Sequence, residues 1–326
     1  MKTNIITSAL LTALIAFASC KKHNDATPNY AKADDFLSER APATQTFTGN
    51  AGTGFSITGG KGTKITFPAG AFVDGNGDAV TGTVTVTLKE VLNRKDILLG
   101  GPMTEASGQL LVSGGEILVK ATKDGAALLV KPQIAYDSAN GIKVEIPRAA
   151  NGANNLQLFV QNKRDNGQGA NGANGQSNPY VNPNTWAAAP YAPFGNGPNS
   201  YVFTLPSFTW INCDKFYSDP RPKTTITATP VFKDDQNLTD LQVMLVFKDI
   251  NTVVTLPFST TVNKFQSYLT SLPIGIEADM VIIGKDSQGY VEFGVQHITV
   301  GANQDYPAEV KRSTAADVDA YLGTIQ

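Results

Sequence analysis

Short segments in which apolar and polar residues alternate recur along this chain, and they restrict it to folds built from β-strands. In Thr83–Val91 the residues Val84, Val86 and Leu88 fall on one face and threonines on the other, which is the period of a half-buried strand. The same alternation returns in residues 117–121, and again further along, with turn sequences rich in Asp, Asn and Gly between the segments. The pattern predicts an antiparallel β domain over residues 47–161.

Residues 162–200 interrupt this pattern, because they are rich in Asn, Gly and Gln and almost free of aliphatic side chains until Val181. Such a composition cannot bury enough apolar surface to offset the entropy lost on ordering, so a loop or linker is predicted there. Alternation then resumes in Leu241-Val243-Leu245-Phe247. A second β-sandwich is predicted over residues 201–305.

The remaining residues, 306–326, form a tail with a helical pattern at its end. Val318, Leu322 and Ile325 recur at helical spacing behind Thr314 and Asp317, which have the spacing of a capping box. The predicted fold is therefore all-β, with two antiparallel β-sandwich domains in tandem and a short C-terminal helix.

The first twenty residues have the layout of a secretory signal. Lys2 supplies a positive charge, residues 5–18 are apolar, and Ala18-Ser19 lead into Cys20. The apolar run is shorter than the about 20 residues that span a bilayer. The stretch resembles a bacterial lipoprotein precursor, which implies that residues 1–19 are removed as a signal peptide and that Cys20 becomes lipidated. Residues 20–46 are predicted to be the lipidated cysteine and a flexible tether.

Composition narrows the chemistry further. The formal net charge is −2, which offers no electrostatic footprint for nucleic acid. The two histidines, His23 and His297, assemble no Ser-His-Asp set, and no zinc-ligand spacing is present. His297 is expected on an inward strand face as a structural residue. The chain is therefore predicted not to be an enzyme and to need no cofactor or metal. With only Cys213 beside Cys20, no disulfide within the mature chain is predicted.

Two glycine-rich motifs imitate ligand sites. Gly59-Gly60-Lys61 suggests a phosphate loop, but Phe55 stands where the first glycine of that motif belongs. Residues 74–78 copy the first half of a calcium loop and lack its later glycine and glutamate. Both motifs are predicted to be turns between strands.

Residues 59–72 carry a family resemblance in the string GGKGTKITFPAGAF. A Gly-Gly turn, an alternating strand and then Pro-x-Gly-Ala resemble the opening of a ZU5-type β domain. The strings GTVTVTLKEV and LLVSGGEILVKAT are similar to ZU5-like domains of Bacteroidetes lipoproteins, a family of unknown function. Residues 208–214, FTWINCD, resemble a further block of those proteins. The resemblance implies a β-sandwich and attaches no chemistry to it.

Aromatic residues collect before the second predicted domain, and Trp186, Tyr191 and Phe194 are the candidate ligand-stacking residues. Rings held on polar loops stack on sugars or seat a protein partner. The alternative is that they pin a long connection onto the sandwiches.

The sequence as a whole predicts a lipid-anchored envelope protein that acts as a non-catalytic binding or structural β module. The alternatives are a glycan-binding lipoprotein or accessory to carbohydrate processing, and a hydrolase with unidentified carboxylates. The predicted partners are the membrane, through N-terminal acyl chains, and an envelope protein or glycan. In Bacteroidetes lipoproteins, an acidic cluster directly after the lipidated cysteine resembles a signal for export to the cell surface. This chain has Lys21 and Lys22 at that place, so a periplasm-facing outer-membrane location is predicted, with surface display as the alternative.

Overall fold

A computed structural model describes residues 28–149, 152–161, 186–234 and 237–325. The predicted signal peptide, Cys20 and most of the predicted linker lie outside the described residues. Within the described ranges, no helix is long and apolar enough to cross a bilayer.

The described residues up to 216 form two α-helices, a short 3₁₀ helix (Pro132–Ile134) and fifteen strands. In chain order they are α1 (Ala33–Arg40), β1 (Thr44–Asn50), β2 (Phe55–Thr58), β3 (Lys64–Phe67), β4 (Phe72–Val73), β5 (Thr83–Val91), α2 (Arg94–Gly100), β6 (Glu105–Ala106), β7 (Gln109–Lys123), β8 (Ala126–Ala127), β9 (Leu129–Val130), β10 (Lys143–Pro147), β11 (Gln157–Gln161), β12 (Trp186–Ala188), β13 (Phe194–Asn196), β14 (Ser200–Thr204) and β15 (Trp210–Phe216).

The described residues from 223 onward add ten strands and one helix. They are β16 (Lys223–Thr224), β17 (Thr227–Phe232), β18 (Thr239–Phe247), β19 (Val253–Thr255), β20 (Phe258–Ser259), β21 (Lys264–Gln266), β22 (Leu272–Pro273), β23 (Glu277–Lys285), β24 (Val291–Thr299), β25 (Asp305–Arg312) and α3 (Ala315–Leu322).

The first sandwich packs two sheets face to face. One sheet has the order β1-β5-β7-β15-β11-β12, and the other has the order β13-β14-β10-β3-β2. Val84, Val86 and Leu88 point into the core between them, as their alternation predicted, and all are at most 1% exposed. The opposite face of the first sheet, which carries Trp210, is turned toward the second sandwich.

The second sandwich is one continuous sheet that folds over its own core. Its order is β19-β18-β23-β24-β25-β17-β21-β20, and β24 and β25 pair at only two positions, where the sheet turns from one layer to the other. The core between the layers includes Phe247, Met280 and Val310. Most pairs are antiparallel, but β17 and β25 run parallel, which the prediction of antiparallel sandwiches did not include.

The boundary between the sandwiches differs from the prediction. Strands β12 and β13 lie within the predicted linker 162–200, β14 begins at its last residue, and β15 lies within the predicted second domain, yet all four belong to the sheets of the first sandwich. The second sandwich also extends past residue 305, because β25 is one of its strands. Local alternation marks strands but does not state their partners, so it could not assign β14 and β15 to the earlier sheets.

A third apolar cluster joins the two sandwiches, and we call it the helix layer. Helix α2 contributes Ile97, Leu98 and Leu99, while the sheets contribute residues such as Val91 from the first sandwich and Phe293 from the second. Its buried members are Ala33, Phe36, Val91, Ile97, Leu98, Leu99, Met244, Val246, Val253, Val281, Ile283, Val291, Phe293, Val318, Leu322 and Ile325. The strand β18 is consequently buried on both faces over its last five residues.

The N-terminal segment, residues 28–40, is part of the fold, which corrects the prediction of a flexible tether over residues 20–46. The segment docks on the second sandwich, where Val291 N donates to Ala31 O at 2.9 Å and Ala33 N donates to Gly289 O at 2.9 Å. Helix α1 then buries Phe36, which is 2% exposed, in the helix layer. The composition of this segment, mostly charged and small residues, did not indicate that one aromatic side chain, Phe36, is buried.

The predicted C-terminal helix is confirmed as α3. Thr314 accepts from the Asp317 N–H and Asp317 accepts from the Thr314 N–H, so the capping box is complete. Val318 and Leu322 face the helix layer. Arg40 of α1 holds Asp319 of α3 through two hydrogen bonds of 2.6 and 2.7 Å, which ties the two terminal helices together.

We predict that Phe36→Ala lowers the free energy of unfolding by about 3 kcal/mol, because it empties a site in the helix layer. The matched control is Phe258→Ala, since Phe258 is 49% exposed and should cost under about 1 kcal/mol. Urea unfolding of both variants measures the difference. Equal, small losses for the two variants would contradict the docking of α1.

Candidate functional site

A set of hydrogen bonds, which we call the joint, links the loop at residues 251–253 of the second sandwich to β7 and the segment before it. Ser113 N donates to Asn251 O at 3.0 Å, and Thr252 Oγ1 donates to Leu111 O at 2.6 Å. Thr104 N donates to Val253 O at 2.9 Å, and Val253 N donates back to Thr104 Oγ1 at 2.7 Å. The joint fixes the relative position of the sandwiches with buried polar contacts.

Beside the joint lies a cleft of about 480 Å³ between the sandwiches. Its floor is formed by Ser113 and Gly114, and Arg94, Lys248 and Asp249 are among its polar walls. Arg94 is held in place, because its Nη1 donates to the carbonyl oxygens of residues 247 and 248 at 2.6 and 2.7 Å. The cleft is thus a rigid, mixed polar and apolar surface on the described part of the chain.

Directly behind this floor is a cluster that we call the acid network, formed by Ser113, Glu116, Asn212 and Asp214. Asn212 Nδ2 donates to Glu116 Oε1 at 3.2 Å and to Asp214 Oδ2 at 2.6 Å. Ser113 Oγ donates to Asn212 Oδ1 at 3.0 Å. Glu116, Asn212 and Asp214 are fully buried. A single amide therefore bridges two buried carboxyl groups.

Two glycines in β7 form the bulge that positions this network. Gly115 has a φ of 130°, which side chains rarely adopt, and it lies where β7 and β15 shift register. A Cβ on Gly114 would lie 2.7 Å from the Tyr201 ring. The bulge turns both Ser113 and Glu116 toward β15, although three residues separate them.

Burial favours the neutral form of both carboxyl groups. Burial raises the pKa of Asp214 to about 8, and hydrogen bonds from Ser113, Asn212 and the Gly114 N–H oppose this only in part. Burial and the neighbouring Asp214 raise the pKa of Glu116 well above its usual range. None of the ion pairs formed by the described residues involves Glu116 or Asp214. Burial also raises the pKa of Glu105, on β6, to about 8.

The backbone amides of the Gly59-Gly60-Lys61 turn bind the side-chain carboxylate of Glu90. The carboxylate of Glu90 accepts from Lys61 N and from Thr63 N, each at 2.9 Å. Burial opposes ionisation of Glu90, yet hydrogen bonds from Lys61, Thr63 and Gln45 outweigh it and lower its pKa. The amides that a phosphate would need are occupied, so the prediction of a turn is confirmed.

The second motif is also a turn. Asp74 Oδ1 accepts from Asn76 N and Asp78 N, each at 2.9 Å, which closes the loop after β4. Among the residues that the structure describes, no group of three His, Cys, Asp or Glu side chains is arranged to hold a metal ion.

The three candidate stacking residues do not form one surface. Trp186 is only 3% exposed and donates from Nε1 to Met103 O at 2.9 Å. Phe194 packs on the rings of Tyr201 and Phe203, with centroids 6.1 and 6.4 Å away. Tyr191 is 89% exposed. Trp186 and Phe194 therefore pin the connection onto the first sandwich, and Tyr191 alone presents an open ring.

His297 lies on the outward face of β24, so the expectation of an inward position is wrong. Its side chain is 51% exposed, and its Nδ1 lies 3.1 Å from Asp279 Oδ1. Lys248 Nζ contacts the same carboxylate oxygen at 3.1 Å. His297 shares a face with Val291 and Phe293, which the helix layer covers, but this cover ends at Val295, which is 38% exposed, so the face is open to solvent at the histidine.

No known family model matches the chain, and no curated protein matches it. The resemblance to ZU5-like domains and lipoprotein precursors therefore rests on the sequence motifs alone.

The sequence interpretation missed the acid network. A signal was present in the string LLVSGGEILV, where a glutamate interrupts an apolar run next to two glycines. A second was Asp214 in the block WINCD, beside a buried cysteine. Neither string indicates that Glu116 and Asp214 lie close together, because β7 and β15 are about a hundred residues apart in the chain and are brought together only by pairing in the sheet.

We predict that stability falls as pH rises from 5 to 8.5. Between the ordinary carboxyl pKa of about 4 and the raised values near 8, the folded state binds more protons than the unfolded state, so unfolding becomes easier with pH. The limiting slope is about 1.4 kcal/mol per pH unit for each such group. Urea unfolding at several pH values measures it.

Asp214→Asn should make this slope shallower, because the amide no longer titrates. Asp249→Asn, in the cleft wall, serves as the matched control and should leave the slope unchanged. A slope that is the same in wild type and in Asp214→Asn would contradict a neutral Asp214.

Proposed function

We propose that this chain is an exported, lipid-anchored protein of the bacterial cell envelope that acts as a non-catalytic binding or structural β module. The observation that carries the proposal is the docking of residues 28–40 on the second sandwich. Because the segment that follows the predicted anchor is built into the fold, an acyl group on Cys20 would hold the whole body at the membrane. Two or three acyl chains give firm attachment.

The non-catalytic part of the proposal is supported by the contents of the cleft. Among the described residues, its lining includes one carboxylate, Asp249, and no histidine. General acid–base chemistry requires the group to reach the substrate. Glu116 and Asp214 are fully buried behind the floor, and Asn212 occupies the space between them. The hydrolase alternative therefore draws no support from these two carboxyl groups.

A binding role is supported by the rigidity of the cleft walls. Arg94 offers positive charge beside the apolar side chains of Leu92 and Ile250, and the Lys248 ammonium is held by Asp279 at 3.1 Å. The glycan-binding alternative loses the stacking surface on which it depended, since Trp186 is buried and Phe194 is packed against the core. The proposal keeps the ZU5-like character of the first sandwich and the periplasm-facing side of the outer membrane, both from the sequence motifs.

We predict that the full chain, expressed with its leader in a bacterium with two membranes, is recovered in the membrane fraction. Its mature form should begin at an acylated Cys20, as read by intact mass. Cys20→Ala should abolish membrane recovery, whereas Cys213→Ala, at the other cysteine, should leave it unchanged. A wild-type protein that is soluble, or that begins at another residue, would overturn the anchoring.

A further inference from the structure

The place where the chain leaves the folded body is clamped to one loop of the second sandwich. This loop, residues 286–290, connects β23 to β24, and we call it the exit loop. Lys32 Nζ donates to Gln288 O at 2.6 Å and lies 3.6 Å from the centre of the Tyr290 ring. Isolated β-bridges pair Lys32 with Tyr290 and Tyr30 with Thr314.

Aromatic and ionic contacts reinforce the same place. The rings of Tyr30 and Tyr290 meet edge to face, with centroids 6.2 Å apart. The Arg312 guanidinium lies 5.5 Å from the Tyr30 ring and 4.9 Å from the Tyr290 ring. Arg312 Nη2 also pairs with the buried Asp286 at 2.5 Å. Cation–π contacts of this kind are attractive, so they strengthen the attachment of residues 30–32 to the exit loop.

Because residues 28–32 are held against the exit loop, only the residues between Cys20 and Pro28 remain to link the folded body to the predicted anchor. Eight residue steps separate Cys20 from Pro28, and a fully extended chain covers about 3.5 Å per step, so the reach is at most about 28 Å. A globular body of roughly 300 residues has a radius of gyration near 19 Å and a diameter of about 50 Å. The reach is therefore only about half the diameter of the body.

We infer that the exit loop and residues 28–32 form the surface of this protein that faces the lipid bilayer. The inference rests on the proposed anchoring at Cys20. A tether this short cannot pass around the body, so the side away from the exit loop stays off the membrane. The first sandwich then projects its outer sheet, β13-β14-β10-β3-β2, into the surrounding compartment.

The inference can be tested by fluorescence quenching on vesicles. The lipidated full-length protein is reconstituted in phosphatidylethanolamine and phosphatidylglycerol vesicles that contain a lipid with a nitroxide headgroup. A fluorophore is attached to Gln288→Cys in the exit loop or, in the matched control, to Lys64→Cys. Lys64 is exposed on β3, in the outer sheet of the first sandwich, and by alternation with the buried Ile65 it faces away from the core between the two sheets. Cys213 is buried and should not label.

We expect quenching at position 288 to exceed that at position 64 at least about twofold. A 24-residue Gly/Ser insertion between Thr27 and Pro28 should bring the two values together, because the longer tether lets the body turn. Protein that floats with the vesicles but is quenched equally at both positions, without the insertion, would overturn the orientation and leave the anchoring intact. Protein that does not float with the vesicles would overturn the proposed anchoring at Cys20 itself.

Discussion

The burial of apolar surface in the helix layer is the interaction on which the rest of this structure depends. One face of the β18–β23–β24 sheet packs on the core of the second sandwich, and the other face carries Val246, Val281 and Phe293 into the helix layer. A sheet that is apolar on both faces must be covered on both faces. The first sandwich and three short helices provide the cover. The two sandwiches are separate in their cores and joined through this layer.

The polar features of the molecule follow from that arrangement. Once the outer face of the first sheet is covered, Glu116 and Asp214 on that face lose access to water, and their pKa values rise because burial disfavours the charged form. The joint provides hydrogen-bond partners for backbone groups that this packing buries, since residues 251–253 hydrogen-bond with Leu111 and Ser113. The acid network is therefore best explained as a consequence of packing two domains together. Burial favours the protonated form of its two carboxyl groups, and no basic side chain of the described residues pairs with them.

The sequence alone predicted the elements whose information is local. Alternation in Thr83–Val91 identified β5 and its buried face, and the Thr314 and Asp317 spacing identified the cap of α3. It did not predict which sheet β14 and β15 join, because pairing is decided by contacts between distant segments. Residues 241–247 were interpreted as alternating, but Met244 and Val246 make residues 243–247 a continuous apolar run, as are residues 280–283, and these runs were the signal for a second covered face. The candidate ring Trp186 shows the same limit, since composition around it suggested exposure and packing buried it.

The most direct test of this account is hydrogen exchange of the amides in α1, measured on the intact protein beside those of Glu277–Lys285 in the second sandwich. We expect the amides of Phe36 and Ala41, which donate to Lys32 O and Leu37 O at 2.9 Å, to exchange many times more slowly than those of an unstructured chain. Exchange of α1 at the unstructured rate, while β23 stays protected, would contradict it. In that case residues 28–40 would be a free tether, and neither the helix layer nor the orientation at the membrane would stand as described.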